Sequence, residues 1–239
     1  VIAAGRRTAP VARWIKRQGK GRTRIVQIMH PGAAAKDFDL IALPWHDRHP
    51  PAANQVRIVG APHRLTQEKL DAAKAEWESR LASLPRPYWA VLVGGATHTR
   101  PFDAKTAHLL AEHLEALRSS RGGSLLVTGS RRTPRPAWEA LAARLNQPCS
   151  LFDGQGGENP YLAFLALADE IVVTGDSVSM VCEACFTGRP VHIFTPPGFV
   201  GAKHARLHAD LIAQGHALKP DADSSSFAQP LPLDAAREI

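Results

Sequence analysis

The 239-residue sequence has little sulfur and little aromatic surface: three cysteines, and 6% Phe, Trp and Tyr. Cys149, Cys182 and Cys185 are too few for the framework of a secreted, disulfide-stapled domain, so a reducing compartment is expected. So thin an aromatic content argues against a stacking platform for single-stranded nucleic acid. No zinc-finger spacing, aromatic-rich RNA-binding strand or helix-turn-helix is present, so nucleic acid is not an expected partner. No apolar run approaches the roughly 20 residues of a membrane span, and no basic-then-apolar leader opens the sequence. The expectation is a soluble, cytoplasmic protein, with peripheral contact at the inner face of a membrane left open. There is no initiator methionine, and Val1 to Ala4 reads at once as a strand, so the sequence is expected to start inside a domain.

What is present is a net charge of +7 and a pI near 9.7, which welcomes an anionic partner such as a phosphate or an acidic lipid surface. Hydrophobic residues make up 44%, enough for one sizeable core or two modest ones, and two domains are expected.

The stretch from Glu170 to Phe194 organises the rest. Ile171 to Val173 is a β-branched run that reads as a buried parallel strand. The polar turn Thr174-Gly175-Asp176-Ser177 follows, and apolar residues then recur at helical spacing, so a helix begins near Ser177 or Ser179. Gly188 ends it and Val191 to Phe194 make the next strand. A helix N-terminus at the carboxyl edge of a parallel sheet favours an anion. Glu183 lies about a turn beyond the last turn serine, placed to accept hydrogen bonds from a ribose diol while phosphates sit on the helix start.

Along the chain, strands are expected at residues 1–4, 24–29, 39–43 and 55–59, with a helix at 9–18 before the second. Each strand ends in a polar, Gly- or Pro-bearing corner. A helix at 66–84 and the breaker Pro85-Arg86-Pro87 then close a first, N-terminally incomplete Rossmann-like domain over 1–84. From Tyr88 the pattern restarts. Strands at 88–93, 124–128, 149–152, 171–173 and 191–194 alternate with helices at 104–118, 136–145, from about 159, from about 177, and at 204–214. A short strand near 217–219 ends a second Rossmann-like domain over 88–220. Residues 221–239 are expected to be a tail whose last part starts a helix. The fold class is therefore α/β, with two Rossmann-like parallel-sheet domains.

The order Val59-Gly60, Pro62, Arg64; Gly94-Gly95-Ala96; Ala168-Asp169; Ser177 to Glu183; Gly188-Arg189-Pro190 resembles the GT-B glycosyltransferases. In particular it is similar to the enzymes that add N-acetylglucosamine to the peptidoglycan lipid precursor. The wordings G-R-R-T-A-P, Q-I-M-H-P-G, A-L-P-W-H-D, G-A-P-H-R, T-G-S-R-R-T-P, G-E-N-P-Y and V-T-G-D-S-V-S-M-V resemble the mitochondrial fission (elongated mitochondria) family along most of the chain. The first resemblance implies a nucleoside-diphosphate sugar as donor, with no other cofactor and no metal. It implies Arg64 and Ala96 facing the diphosphate, the Ser177 to Met180 helix start holding it, and Glu183 on the ribose. The second implies a scaffold that recruits a fission partner as an alternative, and a sugar-nucleotide epimerase would share the donor site. Asp176 departs from what a diphosphate wants, unless it serves a sugar hydroxyl or an arginine.

Other candidates have plainer readings beside the functional one. Gly94, Gly95, Thr97, Ser130, Arg131, Asn159, Gly175 and Ser179 sit at equivalent strand ends as nucleotide contacts, although any doubly wound sheet needs such corners. Asn159 also reads as a helix cap. Of the strand-end histidines, His46 beside Asp47 has the best chemistry for a base acting on an unidentified acceptor, with a membrane-associated one left open. His204 and His208 have zinc-like spacing without a third ligand, and Cys182 and Cys185 read as buried small residues. Trp14 is expected to face the sheet as in an ordinary helix, while contact of the surrounding arginines, among Arg13, Lys16, Arg17, Lys20 and Arg22, with an anionic surface is left open.

Overall fold

The computed structural model describes residues 1–96, 100–218, 224 and 232–239. These form two compact units: residues 1–62 with 234–239, and residues 63–233.

The first unit is a four-stranded parallel sheet of β1 (Ile2–Ala4), β2 (Val26–Ile28), β3 (Leu40–Pro44) and β4 (Gln55–Ile58), in spatial order β1-β2-β3-β4. Helix α1 (Ala9–Gln18) follows β1. Its core is Ile25, Phe38, Ile41 and Leu43 packed with Ala9 and Ala12 of α1. Alanines therefore form the sheet-facing side of α1. Trp14 was expected there, but it is 56% exposed and Val11 57%. Small residues let the helix approach the sheet closely and turn the larger apolar side chains outward.

The second unit opens with α2 (Gln67–Leu81), capped by Thr66, whose hydroxyl accepts from the Lys69 amide at 3.4 Å. This unit thus begins ahead of that helix, at His63, and α2 lies against α5 (Tyr161–Leu167), where Trp77 meets Phe164 edge-on. Its sheet contains β5 (Tyr88–Val93), β6 (Ser124–Gly129), β7 (Cys149–Phe152), β8 (Glu170–Thr174) and β9 (Val191–Phe194), all parallel. The order is β7-β6-β5-β8-β9, so the chain reverses direction of growth between β5 and β8. In such sheets ligands bind outside the carboxyl ends of the strands at that switch.

Helices α3 (Ala104–Arg121) and α4 (Arg135–Ala142) lie against one face of the sheet, with Leu110, Leu114 and Leu141 meeting Trp89, Val91 and Val127. Ala90 and Leu92, which point the opposite way, are equally buried. A strand buried on both faces needs the continuous apolar sequence seen here. The remaining helices are α6 (Val178–Phe186) and α7 (Ala202–Ala213). At the opposite end of the sheet, the buried Glu170 carboxylate accepts from Arg121, His192 and Ser224.

Two expected elements take other forms. Ala217 and Leu218 make no strand, although the Leu218 amide donates to Val191 at 2.9 Å. Residues 235–238 form turns rather than a helix start, with Arg237 donating to the Asp234 carbonyl at 3.0 Å. Among the described residues no helix is long and apolar enough to cross a membrane.

The two tryptophans separate core from surface in a direct way. Trp89→Ala should destabilise by about 3–5 kcal/mol, and Trp14→Ala by less than about 0.5 kcal/mol. Urea unfolding of the two variants, followed by circular dichroism, measures both.

Candidate functional site

The loops after β5, β6 and β8 meet on the carboxylate of Asp176, whose side chain is 1% exposed. It accepts from the Gly95 amide at 2.9 Å, from the Thr174 hydroxyl at 2.7 Å and from Arg132 at 3.2 Å. Thr174 in turn accepts from the Gly94 amide at 2.8 Å. The Gly94 carbonyl receives the Ser130 hydroxyl at 2.5 Å and the Thr133 hydroxyl as well. This knot has no room for side chains at the glycines. A Cβ on Gly94 would lie 2.3 Å from Asp176 Oδ1, and one on Gly95 would lie 2.1 Å from the Arg132 carbonyl oxygen.

The knot answers the difficulty that Asp176 posed in the sequence. Its charge is buried and compensated by an arginine, so it does not confront an anion at the helix start beside it. It also engages the amides of Gly94 and Gly95, the Ser130 hydroxyl and Asp176 itself in holding the loops, where sequence spacing suggested ligand contacts. Arg132 is the partner, while Arg131 is exposed and makes no ion pair among the described residues. Ala96 follows, partly exposed, and Thr97 lies outside the described residues.

Helix α6 starts from this knot. Ser177 is its N-cap, and its hydroxyl accepts from the Met180 amide at 3.5 Å. The amides of Val178 and Ser179 have no partner among the described residues, and the first turn carries no acid. Two N–H groups and the positive end of the helix dipole thus lie beside the strand ends, at partly exposed Val178 and exposed Ser179. In the second turn Glu183 accepts a 2.5 Å bond from the Tyr161 hydroxyl. Burial, with the Glu183 charge added, pushes the Tyr161 phenol well above its ordinary value, so it remains a donor and fixes the carboxylate. Tyr161 sits at the start of α5, where the Asn159 side chain accepts from the Tyr161 amide at 3.0 Å. Asn159 therefore closes an Asx turn just ahead of α5, whose N-cap is Pro160, and Tyr161 is a partner of Glu183 that sequence reasoning passed over.

Gly175 lets α7 approach: its carbonyl meets His208 Nε2 at 3.0 Å, and a Cβ there would lie 2.5 Å from that imidazole. Burial pushes His208 down to about 4, against the opposing pull of the Gly175 carbonyl. His208 thus packs α7 onto the loop, and among the described residues no group of three or more potential metal ligands occurs. Cys182 and Cys185 are fully buried, and burial drives the Cys185 thiol well up. Arg64 is exposed, next to His63, whose ring meets Phe186 of α6 edge-on at 5.0 Å. A cleft of about 280 Å³ opens between α4 and the loop after β7, lined by Thr133, Arg135, Trp138, Glu139, Asp153 and Gln155.

In the first unit, the strand-end loops carry His30, His46 and His49. His46 is 2% exposed, with Asp47 beside it partly exposed. A ring so enclosed would reach an acceptor only through opening of its loop. His30 is more open and stacks on His49 with ring centroids 3.9 Å apart.

The family model described as mitochondrial fission ELM1 matches residues 1–239. The chain belongs to this family. It is 31% identical over 229 residues to the mitochondrial fission protein ELM1 of Arabidopsis thaliana, covering 86% of the chain and 52% of that protein. The chain thus spans about half the length of that relative. An uncharacterized protein of Rickettsia prowazekii is 29% identical over 248 residues, covering 90% of the chain and 69% of that protein. Among solved structures, MurG of Acinetobacter baumannii aligns with a TM-score of 0.51 at 14% identity, over 91% of this chain and 58% of that one. A UDP-GlcNAc 2-epimerase of Methanocaldococcus jannaschii aligns with a TM-score of 0.55 at 12% identity, over 100% and 74%. The fold of this ELM1-family chain is GT-B-like, as the sequence led one to expect.

His208 gives the α7 contact a pH signature. Its unfolded value near 6.5 exceeds its folded value of about 4, so the unfolded state takes up the proton first as pH falls. The stability of the neutral ring is fully present above pH 6.5 and is lost between 6.5 and about 4, by about 3 kcal/mol. Urea midpoints across that range should fall in the wild type and fall less in His208→Gln.

Proposed function

We propose that the second unit binds the diphosphate and ribose of a nucleoside-diphosphate sugar, and that the protein transfers the glycosyl group to an acceptor. The observation that carries this reading is the pairing on α6 of two unpartnered amides, at Val178 and Ser179, with a carboxylate fixed by Tyr161 at Glu183. Five residues of helix separate Val178 from Glu183, about 7.5 Å of axial rise. That separation suits a diphosphate on the helix start and a ribose diol donating to the carboxylate.

In the transfer step an acceptor hydroxyl oxygen bonds to the anomeric carbon and gives its proton to a base, the bond from that carbon to the diphosphate oxygen breaks, and negative charge grows on the departing diphosphate. The α6 amides and dipole stabilise that charge, and Arg64 and Arg131, both exposed and without an ion pair among the described residues, add cationic donors. The Asp176 knot keeps the helix start in place before the donor arrives, so little ordering cost falls on binding. The fold shared with UDP-GlcNAc 2-epimerases makes uridine diphosphate the first nucleotide to test.

Calorimetric titration with uridine, guanosine, thymidine and cytidine diphosphates and their common sugars tests the reading. One nucleotide should bind, and Glu183→Ala should weaken it by about tenfold or more, as expected for lost charge-assisted hydrogen bonds. Absence of binding to any of them by folded protein would overturn the donor reading and favour a non-catalytic scaffold.

A further inference from the structure

We propose that the outward face of α1, with the basic segment around it, docks on anionic lipid bilayers. This goes beyond the donor reading and stands without it, because it concerns the first unit alone.

Charge in the chain is strongly uneven. Residues 1–36 carry nine of the 29 lysines and arginines and none of the 22 aspartates and glutamates. The whole net charge of +7 therefore resides there, and the rest of the chain is slightly acidic. Three of these cations are held by carboxylates: Arg13 by Asp37 at 2.6 Å, and Lys16 and Arg24 by Asp39, each at 2.9 Å. Arg6, Arg7, Arg17, Lys20, Arg22 and Lys36 make no ion pair among the described residues. An open groove of about 440 Å³ runs beside α1, lined by Arg13, Lys16, Arg17, Gly21, Lys36 and Asp37. Its size and charge suit a phosphate headgroup.

Set in this basic field are Val11 and Trp14, one helical turn apart on the outward side of α1 and each more than half exposed. Burial of α1 is confined to Ala9 and Ala12, so the larger apolar pair stays outside the core formed by the described residues. A tryptophan beside an aliphatic residue, ringed by Lys and Arg, matches a helix lying in the plane of a membrane interface. The ring sits at the headgroup boundary and the cations meet anionic lipid. A second copy of the chain is a poor occupant, since a symmetric contact would set one acid-free cationic segment against another. Binding should grow with anionic lipid by about fivefold per basic side chain near the surface, and should weaken as salt screens it.

Vesicle flotation of the purified protein tests the proposal, comparing phosphatidylcholine alone with phosphatidylcholine–phosphatidylserine mixtures at low and high salt. The protein should float with the mixed vesicles and remain behind with the neutral ones. Arg17→Glu combined with Lys20→Glu should reduce binding by about 25-fold or more, and Trp14→Ala by about tenfold. These side chains are exposed, so melting curves of the variants should match wild type. As an independent readout, the Trp14 emission, obtained by difference from Trp14→Phe, should shift to the blue on mixed vesicles only. No flotation, equal flotation with neutral vesicles, or binding indifferent to these variants would overturn the proposal. Concentration-dependent dimerisation abolished by Trp14→Ala would instead assign the face to a second copy.

Discussion

A single buried carboxylate holds the working edge of the second unit together. Asp176 receives an amide from the loop after β5, a hydroxyl from its own strand end and a guanidinium from the loop after β6. Each of these donors would lose a partner in a protein lacking that carboxylate, and a buried unpaired donor costs about 1–3 kcal/mol. The pairing also determines what remains for a ligand. Once the Gly94 and Gly95 amides are spent internally, backbone donors without a partner among the described residues remain at the start of α6. The glycines serve close approach, since a Cβ at either would collide with the knot.

Division of labour among chemically similar groups follows from this. Asp176 and Glu183 are both carboxylates near one helix start, yet one is sealed with Arg132 and the other is aimed by a tyrosine hydroxyl and partly exposed. The first is architecture, and the second is what the donor proposal uses. The histidines divide in the same way. His208 is a buried neutral contact between α7 and Gly175, while His30 and His49 lie at a more open strand-end surface of the first unit.

Much of the fold was legible because the strands are local signals. Tyr88 to Val93 and Ile171 to Val173 are apolar throughout, as buried parallel strands must be, and Thr66 and Ser177 do cap their helices as their residue types suggest. What could not be read were pairings between distant residues. Arg132 lies 44 residues from Asp176, and Tyr161 lies 22 from Glu183; no local pattern couples either pair. Helix α1 misled for a different reason. Its periodicity was correct, but the buried side consists of alanines, and a rule that assigns the largest apolar residues to the core points the helix the wrong way.

The central claim is that the α6 amides face a ligand while the glycine amides do not, and amide chemical shifts followed during a nucleoside-diphosphate titration test it most directly. The account predicts large shifts at Val178 and Ser179, with Gly94 and Gly95 nearly unmoved. Large shifts at the two glycines with none at the α6 start would contradict it, because the ligand would then be taking the donors that Thr174 and Asp176 are held to occupy.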